Sequence, residues 1–101
     1  MLIVQVEARV TEEVISRLAP AVTEMEIESR KEPGCFTYAF SRDISDPGII
    51  RVVEKWESME ALQRHFETAH MANFRNALAA SAPESLDIKV YEIAGELALP
   101  G

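Results

Sequence analysis

Apolar and polar positions change places at nearly every step from Leu2 to Val10. Leu2, Val4, Val6, Ala8 and Val10 share one face, and Ile3, Gln5, Glu7 and Arg9 share the other. A period of two is that of a strand, whose side chains point alternately to the two sides of a sheet. The period then lengthens. Thr11 offers an N-cap oxygen, Glu12 and Glu13 put negative charge at the first turn, and Val14, Leu18, Ala21, Val22 and Met25 recur at helical spacing to about Ser29. Pro20 lies inside this helix and removes a backbone donor, which predicts a kink or a short break. Glu32-Pro33-Gly34 is a strong turn signal.

A second strand runs from Cys35 to about Ser41, with Phe36, Tyr38 and Phe40 on one face, and the polar segment Asp43 to Gly48 forms a turn ending in Asp-Pro-Gly. Ile49 to Trp56 returns as a third strand, on which Ile50, Val52, Glu54 and Trp56 share a face. Ser58 can cap the next helix, where Leu62, His65 and Phe66 fall on or near the inward stripe. Thr68 caps a further helical segment carrying His70, Met71, Phe74, Ala77 and Leu78. After the break at Ser81-Ala82-Pro83, Leu86 to Ile93 alternates as a fourth strand. The order strand, helix, strand, strand, helix, strand (βαββαβ) predicts one α+β domain over residues 1–101, a ferredoxin-like sandwich with its helices on one sheet face. The other face carries a mixture such as Ile3, Gln5, Tyr91 and Ile93. Back-to-back pairing of two such faces predicts a homodimer.

Composition narrows the function classes. At 101 residues the chain suits one small domain, and 48% apolar with 27% charged residues is ordinary for a globular protein. No uninterrupted apolar run is long enough to span a bilayer, and MLIVQVEARV lacks the basic start and long apolar stretch of a signal peptide, so a cytoplasmic location and no membrane partner are expected. Seventeen acidic against ten basic residues give a net charge of −7, which repels a phosphate backbone and excludes nucleic acid as the expected partner. The single Cys35 cannot form an internal disulfide and reads as a small buried side chain. No Cys-x-x-Cys pair, His-Glu-x-x-His helix or Gly-rich phosphate loop is present. On one continuous helix, His65 and His70 would project about 140° apart, a poor arrangement for sharing a metal. No metal and no cofactor are expected.

The chemistry concentrates between Arg51 and Phe74, in RVVEKWESMEALQRHFETAHMANF, which holds the only Trp and both His residues. Trp56 offers a flat apolar wall and one N–H donor, or fills the core beneath the helices. Glu54 shares its strand face, and a carboxylate pointing inward needs a partner, either His65 or a loop backbone group. His65 on the inward helix stripe and His70 just after its cap are the side chains that titrate near neutral pH. Tyr38 either donates its hydroxyl into a pocket or belongs to the sheet core.

Glu32-Pro33-Gly34-Cys35 followed by Tyr38, Asp46-Pro47 at the hairpin, Glu54-Lys55-Trp56-Glu57-Ser58, and Leu62, His65, Thr68, His70 and Phe74 stand in a distinctive order and spacing. In these residues, and over nearly its whole length, the chain resembles the antibiotic biosynthesis monooxygenase domain family, most closely its small bacterial members assigned as quinol monooxygenases. The resemblance implies a dimeric α+β barrel with a pocket between helices and sheet in each subunit. It also implies cofactor-independent oxygenation, by O2, of a small electron-rich aromatic substrate such as a quinol or anthrone. Such a substrate reduces O2 once a proton has been removed, so a base, an oxyanion donor and an apolar cage would suffice. On this reading His65, His70, Glu54, Tyr38 and Trp56 are the candidate catalytic residues, and Val4, Val6, Phe36, Val52, Phe66 and Phe74 form the cage.

Relatives with other chemistry fit less well. Haem-degrading members use an Asn on the first strand with a Trp and a His on the helical segment. Here no Asn lies between Met1 and Val10, His65 stands where that Trp would be, and Arg75 falls near the ligand position. Anthrone-oxygenating members use polar groups on the strand that carries the Trp, where Val52 stands here. An isomerase relative acting on a phosphorylated sugar would need a phosphate pocket, and no Arg or Lys cluster stands out. A non-catalytic stress-response or ligand-binding dimer would share the same fold.

Overall fold

Each helix begins where the chain supplies a side-chain oxygen for the unpaired N–H groups of its first turn. Thr11 Oγ1 accepts from the Val14 amide at 3.2 Å, Ser58 Oγ from that of Ala61 at 3.2 Å, and Thr68 Oγ1 from that of Met71 at 3.3 Å. The computed structural model describes all 101 residues, with helices α1 (Glu12–Ser29), α2 (Met59–Phe66) and α3 (Ala69–Ala80) at these caps. Around them run β1 (Leu2–Arg9), β2 (Cys35–Arg42), β3 (Ile49–Trp56) and β4 (Ser85–Glu92). The predicted break at Pro20 does not occur. Pro20 and Ser16, whose carbonyl loses its helical donor, both lie on the exposed side of α1, where water can take the freed acceptor.

The strands form one antiparallel sheet in the order β2-β3-β1-β4. The β2–β3 hairpin is held by Asp43, whose Oδ2 accepts from the Ser45 and Asp46 amides, while Asp46 Oδ1 accepts from Gly48. All three helices lie on one sheet face, leaving β4 uncovered, and the core there joins Leu2, Val4, Val52 and Trp56 of the sheet to Met25, Ala61 and Leu62 of the helices. The opposite face, with Ile3, Gln5, Val53 and Tyr91, has nothing of this chain against it.

One expected cage residue lies elsewhere. Cys35 pairs with Trp56 and Thr37 with Lys55, so two steps along β2 meet one along β3 and Phe36 is the extra residue of a β-bulge. The bulge keeps Cys35 and Tyr38 on the helix side and turns Phe36 out, 56% exposed. Simple alternation groups Phe36 with Tyr38 and Phe40; only the latter two point inward.

Candidate active site

Between the helices and the sheet lies a cavity of about 430 Å³, walled mostly by apolar side chains. Val4, Val6 and Val52 form its floor, with Phe74 of α3 opposite and Phe66 partly exposed at its edge. Towards β4 it is open, because Leu86, Ile88 and Val90 face it from a strand that no helix covers.

Of the polar residues that line it, Glu54, Tyr38 and His65 are buried in the fold, whereas Thr23, Ser41 and Arg42 are exposed. Strand register puts Tyr38 opposite Glu54 on the inward face. The caps on α2 turn His65 towards them, its ring centroid 5.4 Å from that of Tyr38. Glu54 finds its partner two residues along its own strand, since Trp56 Nε1–H donates to Glu54 Oε1 at 3.0 Å. Neither His65 nor a loop backbone group plays that part. Burial pushes the Glu54 carboxyl up to about 7, and the charge of Glu32 adds to this, against the pull of the Trp56 bond. The Tyr38 hydroxyl is raised far above its ordinary value, chiefly by burial and then by Glu54.

Trp56 stands behind this wall. It is 0% exposed and does not line the cavity, its edge meets Tyr38, and its only N–H goes to Glu54. A substrate cannot stack on it, so its influence passes through Glu54 and through His65, whose ring centroid lies 4.8 Å from its own.

His65 and His70 meet through a residue that the sequence reading gave no role. Glu32 Oε2 lies 2.6 Å from His65 Nδ1 and 2.9 Å from His70 Nε2, so one carboxylate oxygen serves both rings. The single-helix projection that kept the two histidines apart does not apply, because α2 ends at Phe66 and α3 begins at Ala69. Glu32, His65 and His70 offer ligand atoms within 4.8 Å of one another and are the residues able to hold a metal ion. As they stand, the three atoms are spent on mutual hydrogen bonds. Burial lowers the His65 pKa, Glu32 opposes this, and the charges of His70 and Arg75 add to the lowering. His70 itself does not line the cavity. The Cys35 thiol is pushed up to about 11 by burial and by Glu32 and Glu54, which suits an inert core group.

Glu54 Oε2, the Tyr38 hydroxyl and His65 Nε2 make no hydrogen bond within the chain. Each belongs to a residue of the cavity wall. Together they can accept a proton from a ligand and hydrogen-bond an oxygen on it, while the apolar walls hold the rest.

The family model described as antibiotic biosynthesis monooxygenase matches residues 1–77. Among solved structures, one from Deinococcus radiodurans, provisionally named an antibiotic biosynthesis monooxygenase, superposes with a TM-score of 0.89 at 25% identity, covering 100% of both chains. A provisionally named antibiotic biosynthesis monooxygenase from Nitrosomonas europaea gives 0.85 at 22% identity over 94% of this chain and 100% of its own. A Mycobacterium tuberculosis protein gives 0.84 at 21% over 96% and 98%. An uncharacterised Synechocystis protein is 33% identical over 66 residues, 65% of this chain, and the match spans only 45% of that relative's length. No helix is long and apolar enough to cross a membrane.

Proposed function

Since the chain belongs to the antibiotic biosynthesis monooxygenase family, we propose that it is a cofactor-independent monooxygenase acting with O2 on a small electron-rich aromatic of the quinol or anthrone kind. The observation that carries this reading is the placement of the unpartnered polar atoms of the buried Glu54, Tyr38 and His65 on a mostly apolar cavity wall. A flat hydroxyaromatic matches that pattern, with its rings on Val4, Val6, Val52 and Phe74 and its oxygen among the polar tips.

His65 Nε2 takes a proton from the bound substrate, whose bonding electrons stay on the ring system. The electron-rich anion gives one electron to O2, and the two radicals combine to form a carbon–oxygen bond. The resulting peroxide takes back the proton held by His65, and loss of the C–H proton at the oxygenated carbon forms a carbonyl there as the oxygen–oxygen bond breaks, the outer oxygen leaving with the two protons as water. The protein's share is to hold the ring, accept the proton, hydrogen-bond the oxygen and exclude bulk water. The working unit in this proposal is a homodimer joined through the uncovered sheet face.

Oxygen uptake with a naphthoquinol, using protein stripped of metal and flavin, tests this. Turnover well above the buffer rate is expected, falling on the order of 10²-fold in His65→Ala as when a positioned base is lost. Tight binding of the quinol with uptake no faster than buffer would reduce the protein to a ligand-binding relative of the enzymes.

A further inference from the structure

We propose that Glu32 is the positioning residue of this site, fixing His65 with its proton on Nδ1 and its bare Nε2 towards the cavity. This rests on the oxygenase reading above and adds a residue that never touches the substrate.

Glu32 Oε2 has both ring nitrogens within hydrogen-bond distance, 2.6 Å to His65 and 2.9 Å to His70. A carboxylate oxygen only accepts, so each ring must supply the hydrogen. For a neutral His65 this puts the proton on Nδ1 and leaves the lone pair on Nε2, which has no partner in the chain and belongs to a cavity-lining residue. The bond made by one ring nitrogen decides the state of the other. When His65 gains the substrate proton, the same carboxylate stabilises the imidazolium, opposing the burial that disfavours it. Glu54 and Tyr38 share the cavity wall with His65, and Arg75 and His70 are the other titratable groups near its ring. Of these, only His70 also binds Glu32. It donates to the same oxygen from the next helix and holds the carboxylate in place. Glu32 itself is mostly buried and does not line the cavity.

Nitrogen-15 NMR of the His65 ring reads the tautomer without substrate, and the kinetics of Glu32→Gln read its consequence. The full-length wild type is expected to show Nδ1–H and unprotonated Nε2. The side-chain amide introduced by Glu32→Gln can present its N–H to Nδ1 and so move the proton to Nε2, which should lower kcat with a naphthoquinol on the order of 10²-fold. KM should change little. An Nε2–H tautomer in an active wild type overturns the proposal, and so does a Glu32→Gln variant with wild-type kcat. Should Glu32→Gln fail to fold, the wild-type spectrum alone still decides the tautomer. A wild type that carries Nδ1–H but never turns over a quinol supports the placement of the proton and counts against the oxygenase reading instead.

Discussion

Glu54 and Trp56 act as a couple, and the couple has a cost that can be measured. The folded state raises the Glu54 pKa from its ordinary 4.5 to about 7, with burial as the main cause. Between those values the folded protein holds a proton that the unfolded chain has released, so stability falls as pH rises from about 4.5 to about 7 and stays lower above. A shift of this size corresponds to about 3 kcal/mol at its full extent. Glu54→Gln keeps an acceptor for the Trp56 indole and removes the ionisation. Urea unfolding should therefore show this variant gaining on the wild type as pH is raised from about 4.5 to about 8, by up to about 3 kcal/mol. A difference that does not change with pH would mean that Glu54 is not strained by burial. Trp56→Phe acts in the opposite sense: it removes the one donor that holds the carboxyl down, so the fall in stability should still begin near pH 4.5 but extend to higher pH than in the wild type.

The turn between α1 and β2 shows how one element's geometry reaches the site. Gly34 has φ +84°, and a Cβ there would lie 2.9 Å from Ala61 Cβ in the first turns of α2. Gly34→Ala combines a left-handed backbone penalty of about 1–2 kcal/mol with a clash that moves α2, and Glu32 sits two residues before it. A loss of at least this size in chemical denaturation is expected, and an unchanged midpoint would show that the turn yields freely. Strands and caps such as Thr11, Ser58 and Thr68 were legible because they rest on neighbours within a few positions. The bulge at Phe36 was not, since register belongs to a pair of strands and the alternation of β2 alone looks continuous. The site was legible in part. Glu54, Tyr38 and His65 follow from face and spacing, whereas Glu32 meets its histidines across 33 and 38 residues, a distance that no local pattern records. His70 was singled out, but its place behind His65 depends on the break between α2 and α3.

The whole molecule exposes more surface than its size calls for. Its accessible area is 6637 Å², where size scaling for a compact monomer of this mass gives about 5,700 Å². The radius of gyration is 14.3 Å, against about 12.7 Å for a compact chain of this length. The excess is concentrated at β4, exposed along its length, and at Leu97 and Leu99, which stand clear of the body. The uncovered face places Val53 at its middle, paired with Gln5 on one side and Ala39 on the other, 41% exposed and on the same face as Ile3 and Tyr91. A self-complementary contact across this face would need to bury about 800 Å² per protomer to be stable. Light scattering should therefore give a mass near twice the chain's 11.3 kDa. Val53→Glu would bring two added charges together at the middle of an interface formed by chains of net charge −7, and should dissociate the dimer while leaving each protomer's circular dichroism unchanged. A wild-type mass that stays at 11.3 kDa at all concentrations would show that this face is satisfied by water alone.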